Sequence, residues 1–163
     1  MILQKQLKDQ KAQKGCAVLM EVKTGFVKAI ANLSFDSETE TYFEAQNHAV
    51  GLASEPGSTF KVVSAVAAIK QNDISLFEEF DCENGKYQYY NISVSDHEKY
   101  EMLTLPQIIK HSSNIGIVKM VERIGSKKLY ETCRDLGFGS KTGINLKGEV
   151  NLSPFSFFNI FFM

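Results

Sequence analysis

The stretch that most constrains this chain is Glu55-Pro56-Gly57-Ser58-Thr59-Phe60-Lys61, which runs directly into Val62-Val63-Ser64-Ala65-Val66-Ala67-Ala68-Ile69. Pro and Gly end whatever precedes them, so Ser58 falls at or just inside the N-terminus of a helix. Ser58 and Lys61 then share a helix face, with their Cβ atoms about 5–6 Å apart. Val62, Ala65, Val66 and Ile69 recur at helical spacing and predict that the helix is buried on that side. Burial strips water from an amine and lowers its pKa. A neutral amine beside a hydroxyl is a base beside a nucleophile. The alternative reading is a Ser that caps a helix and a Lys that reaches to water, and the bare Ser-x-x-Lys pattern does not separate the two.

With 163 residues, 44% of them hydrophobic, the chain is long enough for one domain with a real core. Lys+Arg 18 against Asp+Glu 19 leave a net charge of -1. That balance gives no field for nucleic acid or an anionic membrane, and no basic cluster carries interleaved aromatics. Cys16, Cys82 and Cys133 are scattered and odd in number, which supports neither a disulfide framework nor a zinc site. No run reaches the ~18 apolar residues of a membrane span, and the Lys/Gln-rich start lacks the apolar core of a signal peptide.

In chain order, residues 1–15 read as a polar helix leading into the domain. Residues 16–22 read as a buried strand, and Lys23-Thr24-Gly25 as a turn without chemistry. Residues 26–31 read as the returning strand of a hairpin. Residues 32–47 read as an acidic, exposed loop, and His48 as a loop or core histidine or, less simply, a base. The central helix gives way at Asn72-Asp73. Residues 80–99, with Tyr87, Tyr89, Tyr90 and His97, read as short extended pieces and turns. The tyrosines either line a cleft or cover the core. Thr104 is a candidate N-cap with Pro106 in the first turn, and Leu105, Ile108 and Ile109 form an apolar stripe. The polar triplet Ser112-Ser113-Asn114 sits at a junction before the amphipathic helix of residues 115–124. It either projects into a cleft or caps the second helix. A further helix covers residues 129–136. Residues 150–163 hold no charged side chain and five of the twelve Phe. They read as an anomalous tail, foreign to the fold through a frameshift, or else as a tail that docks on a partner.

The string from Glu55 to Lys61 resembles the active-site motif of class B penicillin-binding proteins, the monofunctional peptidoglycan D,D-transpeptidases, and is far more specific than Ser-x-x-Lys alone. Ser112-Ser113-Asn114 resembles the family's second motif, Ser-x-Asn. The segment from Cys16 to Gly25 resembles the opening hairpin. Leu136-Gly137-Phe138-Gly139-Ser140-Lys141-Thr142-Gly143-Ile144, completed by Gly148-Glu149, resembles the segment after the second motif. Together these cover nearly all of residues 16–149, the N-terminal part of a transpeptidase domain.

The resemblance implies a mixed α/β fold of the penicillin-binding protein/β-lactamase-like type. It is incomplete here, with a sheet hairpin and a helical region but without the C-terminal strands. It implies that Ser58 is the nucleophile toward D-Ala-D-Ala stem peptides and β-lactams and that Lys61 is its base. It further implies that Ser112 relays a proton to the leaving amine, and that Asn114 binds substrate and holds Lys61. The expected geometry has Lys61 within hydrogen-bonding distance of Ser58 and the 112–114 turn facing both. No cofactor or metal is implied. The third motif, Lys-Ser/Thr-Gly, is expected beyond the end of the chain. Lys141-Thr142-Gly143 follows Asn114 too closely to be it. The expectation is therefore a fragment with half a site, weak or inactive as it stands, from a parent at the periplasmic face of the inner membrane that works with cell-wall synthesis partners. Alternatives are a β-lactam sensor or serine β-lactamase relative, and a non-catalytic interaction module.

Overall fold

The computed structural model describes residues 2–44, 46–70 and 74–150. The proposed tail therefore lies outside the described residues apart from Val150, and so does the break at Asn72-Asp73. Two compact units make up the chain: Met1–Ser54 with Gly143–Asn151, and a second built on Glu55–Thr142.

The first unit is a three-stranded antiparallel sheet in the order β1-β2-β3, from β1 (Lys14–Met20), β2 (Val27–Asp36) and β3 (Thr41–Phe43), with α1 (Ile2–Asp9) and α2 (His48–Gly51) packed on it. Leu7 of α1 is buried against Gly15, where a Cβ would lie 2.7 Å from a Leu7 methyl. The expected hairpin is present, and Lys23-Thr24-Gly25 lies in its turn, where Gly25 takes φ +73.

Two readings are corrected here. Strand β1 is not buried: Val18, Leu19 and Met20 are 48%, 63% and 53% exposed. Among the described residues one of its edges is paired, with β2, and the apolar composition of a strand cannot say what stands beside it. Residues 32–47 are not a loop either. Strand β2 runs on to Asp36 with Asn32 and Leu33 buried, and an Asp36-centred turn leads back into β3. His48 is buried and shares a 2.8 Å hydrogen bond with Ser34 Oγ, which makes it a core histidine of this unit.

The second unit is helical at its centre. A 3-10 turn, Gly57–Phe60, leads into α3 (Lys61–Lys70). Strand β4 (Glu79–Asp81) pairs with β7 (Met102–Thr104), and β5 (Lys86–Tyr89) with β6 (Ile92–Ser95), so residues 80–99 are short extended pieces as read. Helices α4 (Leu105–His111), α5 (Asn114–Ile124) and α6 (Ser126–Asp135) follow, and α3 packs against all three. Thr104 precedes α4, and its amide donates to the Gln107 side chain at 2.8 Å.

Of the predicted buried face of α3, Val62, Ala65, Val66 and Ile69, only Ala65 is buried. Val62, Val66 and Ile69 are 56%, 37% and 45% exposed, while Lys61, Ser64, Ala67 and Ala68 face inward. Val63, Ala65, Ala67 and Ala68 join a core with Phe60, Ile108, Ile115, Ile117, Met120 and Leu129. Small side chains along α3 let the neighbouring helices approach. Gly116 does the same for α5 on α4, since a Cβ there would lie 2.6 Å from Ile108 Cγ1.

Candidate active site

Lys61 sits where the 3-10 turn becomes α3, so its side chain leaves from the same face as Ser64 and points among packed helices. Only 9% of it is exposed. Its Nζ donates to the Ser112 carbonyl at 2.5 Å, to Ser112 Oγ at 2.9 Å and to Asn114 Oδ1 at 2.6 Å. Burial pulls its pKa below the ordinary lysine value, and the Asp96 carboxylate opposes that shift.

The partner groups come from the break between α4 and α5. Ser112 ends α4 in the left-handed conformation at φ 55, ψ 39, a costly position for a residue with a Cβ. Ser113 is fully buried and caps α5, its Oγ accepting from the Gly116 amide at 2.9 Å. The capping reading holds for the middle residue, while Ser112 and Asn114 turn toward Lys61. The Asn114 side-chain amide donates to the Ser95 carbonyl at 2.7 Å, which fixes its oxygen toward Lys61.

Ser112 Oγ also donates to Ser58 Oγ at 3.1 Å. No hydrogen bond joins Ser58 to Lys61 directly, so the expected contact is replaced by a relay through Ser112. The helical turn expected at Ser58 is of the 3-10 type, and this places Ser58 one short turn before the buried face of α3. The four predicted residues Ser58, Lys61, Ser112 and Asn114 thus meet within one unit.

The donor count carries chemical information. Three acceptors around Nζ can satisfy all three N–H groups of an ammonium. Two of those acceptors, the Ser112 carbonyl and the Asn114 side-chain oxygen, can only accept. The third, Ser112 Oγ, can reverse. With a neutral amine the hydroxyl would donate to Nζ and accept from Ser58, turning the chain of bonds toward the lysine.

Asp96 escapes sequence reading. It follows β6, and its Oδ1 accepts from the Asn114 and Ile115 amides at 2.5 and 3.1 Å, while its Oδ2 accepts from Ser113 Oγ at 2.6 Å. Its carboxylate is the available signal, but a sequence separation of 17–19 hides the pairing. Lys141-Thr142-Gly143 lies in an irregular segment outside any strand.

A buried lysine connected to an exposed serine hydroxyl through a second hydroxyl has the parts that acyl transfer through serine requires. The model of the penicillin-binding protein transpeptidase domain matches residues 15–157, and the chain belongs to that family. It is 32% identical over 140 residues to the penicillin-binding protein PbpB of Mycobacterium tuberculosis, covering 82% of this chain and 20% of that one. It is 32% identical over 143 residues to the peptidoglycan D,D-transpeptidase FtsI of Escherichia coli, covering 85% of this chain and 24% of that one. The fold matches the transpeptidase domain of Burkholderia pseudomallei penicillin-binding protein 3 with a TM-score of 0.77 at 21% identity, over 89% of this chain and 40% of that one. The mixed α/β fold is therefore that of part of a transpeptidase domain. The chain spans about a fifth to a quarter of the length of these curated relatives.

Proposed function

We propose that this chain carries the acylating half of a serine peptidoglycan transpeptidase site. The observation that carries the reading is the unbroken hydrogen-bonded path Ser58–Ser112–Lys61. Ser58 gives its proton to Ser112 Oγ as Ser112 passes its own to the neutral Lys61 amine. Ser58 Oγ then attacks an acyl carbon, forming a C–O bond. The C–N bond to the leaving amine breaks, and that amine takes a proton from Lys61, again through Ser112. The product is an acyl-Ser58 enzyme. Asn114 holds Lys61 through its side-chain oxygen and orients it toward the relay.

The acyl donor is a stem peptide ending in D-Ala-D-Ala or, as its mimic, a β-lactam. No cofactor enters the scheme. The relative FtsI is named a peptidoglycan D,D-transpeptidase, and on that likeness we assign the whole protein to cell-wall synthesis at the envelope. Among the described residues no helix is long and apolar enough to cross a membrane. The opened ring of a β-lactam releases strain and asks less of the site than an unstrained peptide does. Peptide turnover needs a complete set of donors for the developing oxyanion, where the loss of one donor costs ~2.7–4 kcal/mol. We assign slow β-lactam acylation to these residues and the full cycle to the whole domain.

Incubation with a fluorescent penicillin followed by intact-mass spectrometry tests this reading. One adduct per chain is expected, absent from Ser58→Ala. Labelling that survives Ser58→Ala removes Ser58 from the nucleophile's role, and rapid D-Ala release by this chain overturns the division between acylation and turnover.

A further inference from the structure

The carboxylate of Asp96 has no hydrogen bond to Ser58 or Lys61, yet it accepts three hydrogen bonds from residues 113–115, beside the groups that hold Lys61. Helix α5 begins at Asn114, and its first amides have no partner within the helix. Asp96 Oδ1 takes two of them, those of Asn114 and Ile115, and Oδ2 takes the Ser113 hydroxyl. Ser95, its neighbour, takes the Asn114 side-chain amide through its carbonyl. Ser95, which ends β6, and Asp96 after it therefore hold residues 113–115 by four hydrogen bonds. The 112–114 turn needs holding, because Ser112 occupies a left-handed conformation that a free chain does not favour.

The same carboxylate is the charge that acts on Lys61. The buried Cys82 thiol lies 3.5 Å from Ser113 Oγ and, like the Tyr100 hydroxyl, feels the Asp96 charge, while other charged groups nearby have partners of their own. Lys119 pairs with Glu83, Glu122 accepts from the Tyr87 hydroxyl, Arg123 pairs with Glu78, Lys70 pairs with Asp135, and His111 stacks on Tyr100.

We propose that Asp96 is a positioning residue of this site, which locks the Ser112–Asn114 turn against Lys61 and supplies the negative charge that Lys61 is set against. The proposal rests on the acylation reading for its kinetic consequence but not for its structural one. It assigns Asp96 two separable effects. The hydrogen bonds hold geometry, and the charge favours the ammonium form of Lys61 against the burial that disfavours it.

Asp96→Asn keeps an acceptor for the two amides and removes the charge, whereas Asp96→Ala removes both. The full chain carries 13C-labelled lysine, and the Lys61 resonance is identified by its loss in Lys61→Arg. In Asp96→Asn the Lys61 titration midpoint is expected to fall below that of the unaltered chain, with thermal melting unchanged. The pH at which penicillin labelling accelerates falls with it. In Asp96→Ala labelling is expected to drop about 10²-fold, the scale of a misplaced reacting group. Asp96→Glu is expected to bring the midpoint back toward its original value.

A Lys61 midpoint that is the same in the unaltered chain and Asp96→Asn overturns the charge effect. Labelling of Asp96→Ala within about twofold of the unaltered chain, well short of the ~10² expected for misplacement, overturns the positioning effect. Should the alanine variant not fold, that loss itself shows the hydrogen bonds holding the turn, and Asp96→Asn decides the charge effect through the titration. If the unaltered chain takes no label at all, the acylation reading fails, and the Lys61 midpoint still tests Asp96.

Discussion

Lys61 is hydrogen-bonded to Ser112 at two atoms, the carbonyl oxygen at 2.5 Å and the hydroxyl at 2.9 Å, and reaches Ser58 only through that hydroxyl. The carbonyl fixes where the amine sits. The hydroxyl decides which way the proton runs.

Ser112 should therefore weigh nearly as much as Lys61 in acylation. Ser112→Ala keeps the carbonyl that anchors Lys61 but cuts the path to Ser58. The labelling rate is expected to fall by ~10²–10⁴, the usual range for a lost general acid–base step. Time courses by intact mass with penicillin measure it, and a fall of less than about tenfold would show that Lys61 reaches Ser58 without the relay.

Labelling should rise with pH as Lys61 loses its proton, with a midpoint below the ordinary lysine value because burial disfavours the ammonium. The sign for stability follows from the same shift. Between the lowered folded-state value and the ordinary unfolded value, the unfolded chain binds more protons, so stability rises with pH across that window. The gain is complete above the unfolded value and absent below the folded one. Chemical denaturation across alkaline pH, compared with Lys61→Met, isolates the effect. A midpoint at or above the ordinary value would contradict it.

Gly116→Ala should loosen the site from behind. The added Cβ would lie 2.6 Å from Ile108 Cγ1, and Ile108 is fully buried, so the α4–α5 contact must open. The expected cost is ~1–3 kcal/mol in stability. Labelling should decline as well, because the 112–114 turn joins these two helices. Calorimetry and labelling on the same sample check both, and an unchanged melting temperature would refute the close approach.

Ser64→Ala should go the other way. Ser64 lies on the inner face of α3, fully buried, and its hydroxyl has no hydrogen-bond partner. A buried hydroxyl without a partner costs ~1–3 kcal/mol in mutational data, so alanine is expected to leave stability equal or higher. Marked destabilisation would reveal a partner for Ser64 Oγ.

How far the sequence speaks depends on which physical signal each part carries. The turn residues Pro56 and Gly57, the hydroxyl–amine spacing and the polar triplet between two apolar helices were all legible, because each is a local rule written in adjacent residues. The inner face of α3 was not. Val62, Val63, Ala65, Val66, Ala67, Ala68 and Ile69 are apolar nearly all the way round, so periodicity cannot choose a side, and the choice falls to α4, α5 and α6. Strand β1 shows the same limit, since its apolar side chains say nothing of how many neighbours the sheet supplies. Asp96 was invisible because it acts on groups far along the chain through three hydrogen bonds, and composition marks it only as one more surface acid.

The separation of Lys61 from Ser112 and Asn114 by 51 and 53 positions makes the site a long loop closed by hydrogen bonds. Closing a loop of that size costs on the order of 3–4 kcal/mol of chain entropy. A single hydrogen bond returns about 0.5–1.5 kcal/mol, somewhat more when charged, so no one of them closes the loop by itself. Packing of α3 on α4 and α5 must bring the ends together first. A chain with its helices formed but not docked would hold Ser58 and Lys61 side by side and have no relay between them. Acylation competence is in that sense a late event in folding. Pulse-labelling with penicillin during refolding would report the docking step itself rather than the appearance of helix.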